Sequence, residues 1–246
     1  MEEEKRTIRA VERALDVLLV FTSGSEWGLT EIAQRVGLHK STVHRLLATL
    51  EQRGFVVRDE ATEKYRLGLR ILELSAYTRA DDPAVVMRGE MERLRDQLGE
   101  TISLYVRDRT DRVRIQAVQS EQAVRRVAPV GARLPLTVGA SSKVLLAFEA
   151  PSVRDALLSE LVWPAPMDRA AYEEQLREIV AAGYATSFEE REPGAAAISA
   201  PIFARSGKLY AALSVSGPSN RLTPDVMREV APDIIAAAKR MGTLLG

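Results

Sequence analysis

Residues 29–66 constrain the fold of this chain more than any other segment, and they read LTEIAQRVGLHKSTVHRLLATLEQRGFVVRDEATEKYR. The pattern predicts a short helix, a turn at Gly37, a second amphipathic helix and a basic β-hairpin, with almost no residues between them. This order is typical of a winged helix-turn-helix, which places the second helix of the motif in the major groove of duplex DNA. The segment therefore predicts a DNA-binding module.

Apolar residues at helical spacing predict three helices in this module. The first helix ends near Phe21, and we expect Thr30 to be the N-cap of the second. The third begins near Lys40 or Ser41 and docks on the other two through its apolar stripe. The apolar positions are Ile8, Val11, Leu15, Leu18 and Leu19 in the first helix, Ile32, Ala33 and Val36 in the second, and Val43, Leu46, Leu47 and Leu50 in the third.

The opposite face of the third helix carries small and polar residues. These are Ser41, Arg45, Ala48 and Gln52, with Thr42 and His44 at the sides. Small residues let the helix approach the base edges, where Arg45 can contact a guanine with two hydrogen bonds and Ser41 or Thr42 can reach a phosphate. A solvated helix face is the alternative, but the preceding helix and turn favour DNA.

Two short alternating segments, FVVR and KYRLG, flank the turn-forming DEATE and predict a wing. The alternation places Phe55, Val57, Tyr65 and Leu67 on one face and Arg58, Lys64 and Arg66 on the other or at its rim. The basic side chains are then free to touch a phosphate or the minor groove, although a hairpin that only covers the core is the alternative. The residues predicted to contact DNA are Thr30, Lys40, Ser41, Thr42, His44, Arg45, Lys64 and Arg66.

The net charge of zero is unusual for a DNA-binding protein. However, the segment from Arg35 to Arg58 contains five basic residues and one acidic residue, so it can engage phosphates locally. No apolar run approaches the roughly 18–20 residues that span a bilayer, and the acidic start MEEEKRTIR is not typical of a signal peptide. We therefore expect a cytoplasmic protein that is not associated with a membrane.

The length of the chain suggests two domains. A further helix is predicted over 68–79 and is interrupted at Asp81-Asp82-Pro83, which gives a DNA-binding domain over 1–67, a linker helix over 68–82 and a second domain over 83–246. In the second domain we predict helices over 84–98, from 139, and over 151–161, 168–182 and 223–245. Alternating segments predict a β-hairpin in TISLYVRD and RVRIQAVQS and further strands in GYATSF, AAISAPIFA and KLYAALSVSG. The predicted fold class is α+β.

Two regions of the chain together resemble the IclR family of bacterial transcription regulators. The first is GLTEIAQRVGLHKSTVHRLLATLEQRGFV with the following YRLG. The second begins at Gly183 and continues with Ser187, Glu190, Ala197-Ile198-Ser199, Ile202 and Phe203. Two positions depart from the family pattern: Ala197 stands where a cysteine is frequent, which suggests an altered ligand pocket, and Ala204 replaces the usual Asp, Asn or Gly.

The resemblance implies a GAF-like ligand-sensing fold for the second domain, with a pocket for a small effector. It also implies a transcription regulator, with a repressor favoured, that binds a palindromic operator in double-stranded DNA as a homodimer or a dimer of dimers. Carried over position by position, the effector-binding residues are Ala140, Ser141, Ser187, Ala197, Ser199, Ser214 and Ser216.

The residues of the second domain favour the same location for a ligand. In LYAALSVSG, alternation places Leu209, Ala211, Leu213 and Val215 on one face and Tyr210, Ala212, Ser214 and Ser216 on the other. Buried serines need partners, which a small polar ligand would provide, and the GASS helix start offers N–H groups and a positive dipole end to a carboxylate. Lys143 would pair with this anion or face solvent. The ligand predicted for this site is a small organic or aromatic acid. The alternative is that these small residues serve only close packing of the backbone.

Other chemistry has little support in the sequence. The chain has no cysteine and only two histidines, so we expect no metal site and no cofactor. The second domain has no histidine for a catalytic triad, and a solvated strand end is favoured over paired-carboxylate hydrolysis for Glu189, Glu190 and Glu192. The alternative to a ligand-responsive regulator is a metabolic enzyme or ligand-binding protein whose N-terminal module serves only oligomerisation.

Overall fold

The computed structural model describes residues 7–79, 83–125, 129–163 and 168–245, and the chain divides into two compact units, residues 1–81 and 82–246. The first unit contains α1 (Arg9–Leu19), a 3-10 turn (Val20–Ser23), α2 (Leu29–Val36), α3 (Lys40–Gln52), β1 (Val56–Arg58), β2 (Tyr65–Leu67) and α4 (Leu69–Arg79). The second unit contains α5 (Pro83–Val86), α6 (Arg88–Leu98), β3 (Thr101–Asp108), β4 (Asp111–Val118), β5 (Arg133–Pro135), α7 (Ala140–Ala147), α8 (Pro151–Glu160), α9 (Arg169–Ala182), β6 (Ala185–Phe188), β7 (Ala195–Phe203), β8 (Leu209–Pro218) and α10 (Pro224–Thr243). The predicted α+β class is confirmed.

The core of the first unit forms where three helices and the hairpin meet. Its buried residues are Val17, Val20, Phe21, Ile32, Ala33, Val43, Leu47, Leu50, Val56 and Tyr65. The stripe predicted for α3 is therefore correct, with Leu46 partly buried beside it. The N-cap of α2 is Gly28 rather than Thr30, because the backbone N–H of Gly28 donates to Glu31 Oε2 at 2.8 Å and the helix begins one residue before Thr30.

In the first unit, the apolar face of α1 is mostly exposed, and one predicted side-chain direction in the hairpin is wrong. Of the apolar positions predicted for α1, only Leu18 packs against the core, whereas Ile8, Val11, Leu15 and Leu19 are between 52% and 69% exposed. In the hairpin, Val56 pairs with Leu67 and Arg58 pairs with Tyr65, so Val56 rather than Val57 shares the inner face. The cause is the short strand length, since three residues give alternation too few positions to fix its phase.

A six-stranded antiparallel sheet organises the second unit, in the order β5-β4-β3-β8-β7-β6. The helices α6 and α10 pack on one face of it, against Leu213 and Val215 of β8. The helices α7 and α9 lie on the other side, in a core that includes Ala212. The predicted alternation of β8 is thus confirmed from Ala211 onward.

The structure corrects three details of the second unit. The helix predicted over 84–98 is broken at Met87 into α5 and α6, and the short strand β5 was not predicted. Leu209 leaves the face predicted for it, because the register of β7 and β8 shifts next to Ile202 and Leu209 then packs on the α7 side. No helix among the described residues is long and apolar enough to span a membrane.

Candidate DNA-binding surface and candidate effector pocket

The turn between α2 and α3 fixes the direction of the helix predicted to read DNA. Gly37 ends α2 with φ of 65°, in the left-handed region that costs glycine no steric clash. The N–H of Leu38 then donates to the carbonyl of Ala33 at 3.1 Å, and α3 begins at Lys40. Since Val43, Leu47 and Leu50 are buried, the opposite face of α3 is directed to solvent.

The residues predicted to contact DNA are almost all accessible. Thr30, Lys40, Ser41, His44 and Arg45 are exposed around α2 and α3, Lys64 and Arg66 are exposed on the hairpin, and Thr42 is half-buried. Among the described residues, none of the basic side chains in this set has an ion-pair partner. We call Lys40, Ser41, His44 and Arg45 the recognition face.

The tip of the hairpin differs from its stem because it carries acidic residues. Arg58 is paired with Glu63 at 2.8 Å, so its charge is already offset within the hairpin. Asp59 Oδ1 accepts hydrogen bonds from the N–H groups of Ala61 and Thr62, at 2.9 and 2.8 Å. The bond from Thr62 is the main reason that the pKa of Asp59 is lowered from its usual value, and the nearby charge of Arg66 also lowers it. The cations without an ion-pair partner in the described part of the hairpin are therefore Arg66 of β2 and Lys64, which directly precedes this strand.

The second unit contains a pocket at the start of α7, on the face of the sheet away from α10. Six of the seven predicted effector residues line it, namely Ala140, Ser141, Ser187, Ala197, Ser214 and Ser216. Ser199 does not line the pocket; it is fully buried, and its Oγ has no hydrogen-bond partner among the described residues. Ala204, the second departure from the family pattern, lies outside the pocket in the turn after β7.

Two buried arginines in the pocket wall were not predicted. Arg112 and Arg114 of β4 are 4% and 3% exposed, although the residues between and after them, Val113 and Ile115, are half-buried. The guanidinium of Arg114 donates to Tyr105 Oη at 3.1 Å and to Ser103 Oγ at 2.7 Å. Arg112 donates to the carbonyl of Val138 and to Ser142 Oγ, while its Nε has no partner in the described part of the chain.

Arg112 lies directly against the N-terminus of α7. Gly139, with φ of 97°, precedes this helix, and a Cβ placed on it would come within 3.0 Å of Arg112 Nη2. A glycine at this position therefore gives the guanidinium room next to the first N–H groups of the helix. Because these N–H groups have no partner within the helix, a cation and a positive helix end are brought together at one point of the pocket.

Burial makes the positive charge of Arg112 costly. Loss of hydration is the main reason that its pKa is lowered to about 10; the charges of Arg191 and Arg114 contribute to the lowering, whereas Tyr105 and Tyr172 act in the opposite direction. Burial also raises the pKa of Tyr172, whose hydroxyl donates to the carbonyl of Leu136 at 3.3 Å. Arg112 remains protonated at neutral pH, so the pocket contains a buried cation for which the described residues provide no carboxylate.

The buried side chain of Lys143 does not face this pocket as a free cation. Its Nζ lies 2.5 Å from Glu190 Oε1 and donates to the carbonyl of Thr186 at 3.0 Å. Glu190 also accepts from the N–H of Gly139 at 3.4 Å, so it connects the segment after β6 to the start of α7. Glu189 is held separately, by Ser219 at 2.7 Å and by the N–H of Gly194 at 3.0 Å. The prediction of a merely solvated acidic strand end is therefore wrong for Glu190.

No metal site is found within the ranges that the structure describes, where no three His, Cys, Asp or Glu residues are grouped suitably. His39 and His44 both lie at α3, in the first unit.

Comparisons with known proteins agree for both units. Residues 10–60 match the IclR helix-turn-helix domain, and residues 76–243 match the family described as bacterial transcriptional regulator IclR C-terminal. The chain is 34% identical over 245 residues to the HTH-type transcriptional regulator BhcR of Paracoccus denitrificans, which covers 97% of this chain and 88% of that protein. It is 29% identical to the transcriptional repressor IclR of Escherichia coli, over 97% and 90% of the two chains.

Solved structures give the same result. An IclR transcriptional regulator from Alicyclobacillus acidocaldarius superposes with a TM-score of 0.85 at 26% identity, covering 98% of this chain and all of the other. An IclR homologue from Microbacterium hydrocarbonoxydans, complexed with 4-hydroxybenzoate, has a TM-score of 0.79 at 26% identity, with 95% and 98% coverage. The chain therefore belongs to the IclR family of transcriptional regulators, with a helix-turn-helix DNA-binding domain and a C-terminal effector domain.

Proposed function

We propose that this protein is a repressor that binds a palindromic operator and responds to a small carboxylic acid bound in the pocket of its second unit. The observation that carries the proposal is Arg112, a buried cation without a carboxylate partner in the described residues, placed against the start of α7. A ligand carboxylate would offset this charge and accept hydrogen bonds from the helix N-terminus. The 4-hydroxybenzoate in the solved homologue is itself a carboxylate, which supports the class of ligand.

The proposed effector site extends from this point along the small residues of the pocket. Ser187 of β6 and Ser214 and Ser216 of β8 offer hydroxyl groups, and Ala140 and Ser141 offer backbone N–H groups of α7. Ala197 leaves space beside them because it has no side chain beyond Cβ. Ser199 is not included, since it is fully buried and does not line the pocket.

On the DNA side, we propose that α3 enters the major groove with the recognition face toward the base edges. Arg45 is exposed in the first half of the helix, and among the described residues nothing competes for its guanidinium. Lys64 and Arg66 would contact phosphates and thereby fix the orientation of the helix. A regulator of this kind acts where the chromosome is, so we expect it in the cytoplasm.

A dimer is proposed because the first unit exposes two apolar helix surfaces. Ile8, Val11, Leu15 and Leu19 follow one another along α1 at spacings of three or four residues. In α4, Leu69, Leu72 and Leu74 are between 55% and 75% exposed. Exposed apolar residues grouped on one surface usually mark an interface with another protein. A second copy of this chain would provide both that interface and the two-fold symmetry that a palindrome requires.

The proposal is tested by selecting genomic DNA fragments that the purified protein binds and measuring their affinity by fluorescence anisotropy. We expect a short palindrome to be enriched, and we expect its affinity to change when the acid that binds the pocket is added. The metabolic-enzyme alternative predicts instead that no sequence is enriched, while a small acid still binds to the second unit.

A further inference from the structure

We infer that the effector is a dianion, with one anionic group bound at Arg112 and the second bound by Arg191. This inference rests on the proposed function and specifies its ligand class: a short dicarboxylic acid rather than an aromatic or aliphatic monoacid. Arg191 belongs to the segment between β6 and β7 and lines the same pocket as Arg112.

The first subsite is the contact between Arg112 and the start of α7. The Nε of Arg112 is buried and has no partner in the described part of the chain. The two remaining nitrogens are directed to Val138, Ser142 and the space over Gly139. A carboxylate here would gain a buried guanidinium and the N–H groups of the first helical turn, which is sufficient for one negative charge.

The pocket wall carries two arginines whose charges one carboxylate cannot offset together. Among the described residues, its lining includes Arg112 and Arg191, besides Arg114, whose guanidinium is bonded to Tyr105 and Ser103, and no acidic residue. Arg191 is near enough to lower the pKa of Arg112 through like-charge repulsion. Glu190, the neighbouring acid, is bound to Lys143 at 2.5 Å and is therefore already paired.

Arg191 is suited to the second anionic group because of its position. Its side chain is 32% exposed, and its one described ion pair is with Glu192, an adjacent residue in the chain, at 3.0 Å. An ion pair with this much exposure contributes little, so a ligand carboxylate inside the pocket can replace it at small cost. Arg112 would then hold the inner end of the ligand, and Arg191 the end near the opening.

The rest of the lining fits a short polar body between these two ends. Apart from Tyr105 and the arginines, it consists of serine, alanine and glycine, with hydroxyl groups from Ser187, Ser214 and Ser216. Tyr105 is the only aromatic ring that the described residues contribute to the lining, and both buried guanidiniums lie 5.5 Å from its centre. A monoacid, aromatic or aliphatic, would leave Arg191 without an anion inside the pocket.

Isothermal titration calorimetry of the full chain tests this with pairs of acids that differ only in the second carboxylate: succinate with butyrate, and 2-oxoglutarate with 2-oxopentanoate. We expect at least one diacid to bind about tenfold more tightly than its matched monoacid, the effect of one charge-assisted contact. Arg191→Gln should remove this difference while the monoacid affinity stays the same, and Arg191→Lys should restore part of it. Arg177→Gln, which removes an exposed, ion-paired arginine of α9, is the matched control.

Three results would overturn the inference. If the two members of each pair bind equally in the natural protein, and binding depends on Arg112, the proposed function stands and the second anionic subsite does not exist. If Arg191→Gln weakens diacid and monoacid equally, Arg191 shapes the segment after β6 and does not contact the ligand. If no acid of either kind binds, the carboxylate effector of the proposed function is wrong together with this inference.

Discussion

The recognition face of the first unit and the pocket of the second unit each contain an arginine, but in opposite environments. Arg45 on the recognition face is exposed, and in the described residues its guanidinium has no ion-pair partner. Arg112 in the pocket is 4% exposed and is fixed by hydrogen bonds to Val138 and Ser142. The guanidinium of Arg45 can change its orientation in solvent, whereas the guanidinium of Arg112 is held in one orientation without a ligand.

This difference has consequences for what each site can bind. An exposed arginine costs nothing to keep charged, and it attracts a polyanion over a distance set by the salt concentration. A buried arginine has already lost its hydration, so a carboxylate that reaches it is bound strongly and with fixed geometry. The recognition face is therefore suited to a long, repetitive partner such as DNA, and the pocket to a small anion.

The largest effect is expected from Arg45→Ala, which tests whether the exposed arginine of the recognition face contacts DNA. Removal of a bidentate contact to guanine costs about 1–3 kcal/mol per site, and in a symmetric dimer this cost arises twice. We expect specific operator binding to fall to the level of unrelated DNA in fluorescence anisotropy, while the folded state is unchanged by circular dichroism. Arg177→Ala is the control, and equal binding by both variants would exclude Arg45 from sequence recognition.

The variant Arg112→Met tests whether the buried arginine of the pocket binds the effector. We expect effector affinity to fall roughly 10- to 150-fold in calorimetry, because the variant removes a charge-assisted hydrogen bond of about 1.5–3 kcal/mol. Thermal stability should be kept or increased, since the variant removes a buried charge and Ser142 Oγ still donates to the carbonyl of Val138 at 2.9 Å. A large decrease in stability with unchanged effector affinity would mean that Arg112 is only structural.

A smaller and less specific effect is expected from Lys64→Gln on the stem of the wing. If Lys64 contacts a phosphate, affinity should decrease by a similar factor for operator and unrelated DNA. The dependence of log K on log salt should also become shallower, by about one for each phosphate that the lysine no longer neutralises. Lys239→Gln replaces an exposed lysine of α10 and should leave the slope unchanged. An unchanged slope in Lys64→Gln would assign the hairpin a covering role only.

The smallest effect concerns the pH dependence of the segment next to the pocket. The hydrogen bond from Ser219, followed by that from the N–H of Gly194, lowers the pKa of Glu189 below its usual 4.5 in the folded state. The ionised carboxylate therefore stabilises the fold above that value, and this contribution disappears as the pH falls through the lowered pKa. We expect Glu189→Gln to lower Tm slightly at neutral pH and to make Tm less sensitive to acid; a Tm difference that is the same at all pH values would contradict this.

The same comparison explains which features the sequence could predict. The recognition face depends on residues within one short segment, so the helical period of Val43, Leu47 and Leu50 was enough to identify the opposite face. The pocket depends on the meeting of β4 with α7, which are distant in sequence. Periodicity places Arg112 and Arg114 on one side of a strand, but it cannot show that this side, rather than the side of Val113, is buried.

Local patterns predicted two further features only in part. The small residues of β8 and the GASS helix start indicated the location of the pocket because both signals are local, whereas the full set of seven residues, six of which line one pocket, came from the family resemblance. The pairing of Lys143 with Glu190 could not be predicted, since 47 positions separate them. Either side chain would also be stable if it were exposed to solvent, so the sequence does not show that they need each other. The exposed stripe of α1 was misleading for a related reason: an apolar helix face has the same pattern whether it packs against its own chain or against another.

The central claim is that these two arginine sites are coupled, and it is tested by measuring operator affinity with and without the tightest-binding acid, in the natural protein and in Arg112→Met. We expect the acid to change operator affinity in the natural protein by a factor in the usual range for allosteric coupling, about 5- to 150-fold. In Arg112→Met, at an acid concentration that saturates only the natural protein, we expect no change; without acid, both proteins should bind the operator equally. An acid that shifts both proteins equally, or neither of them, would contradict it.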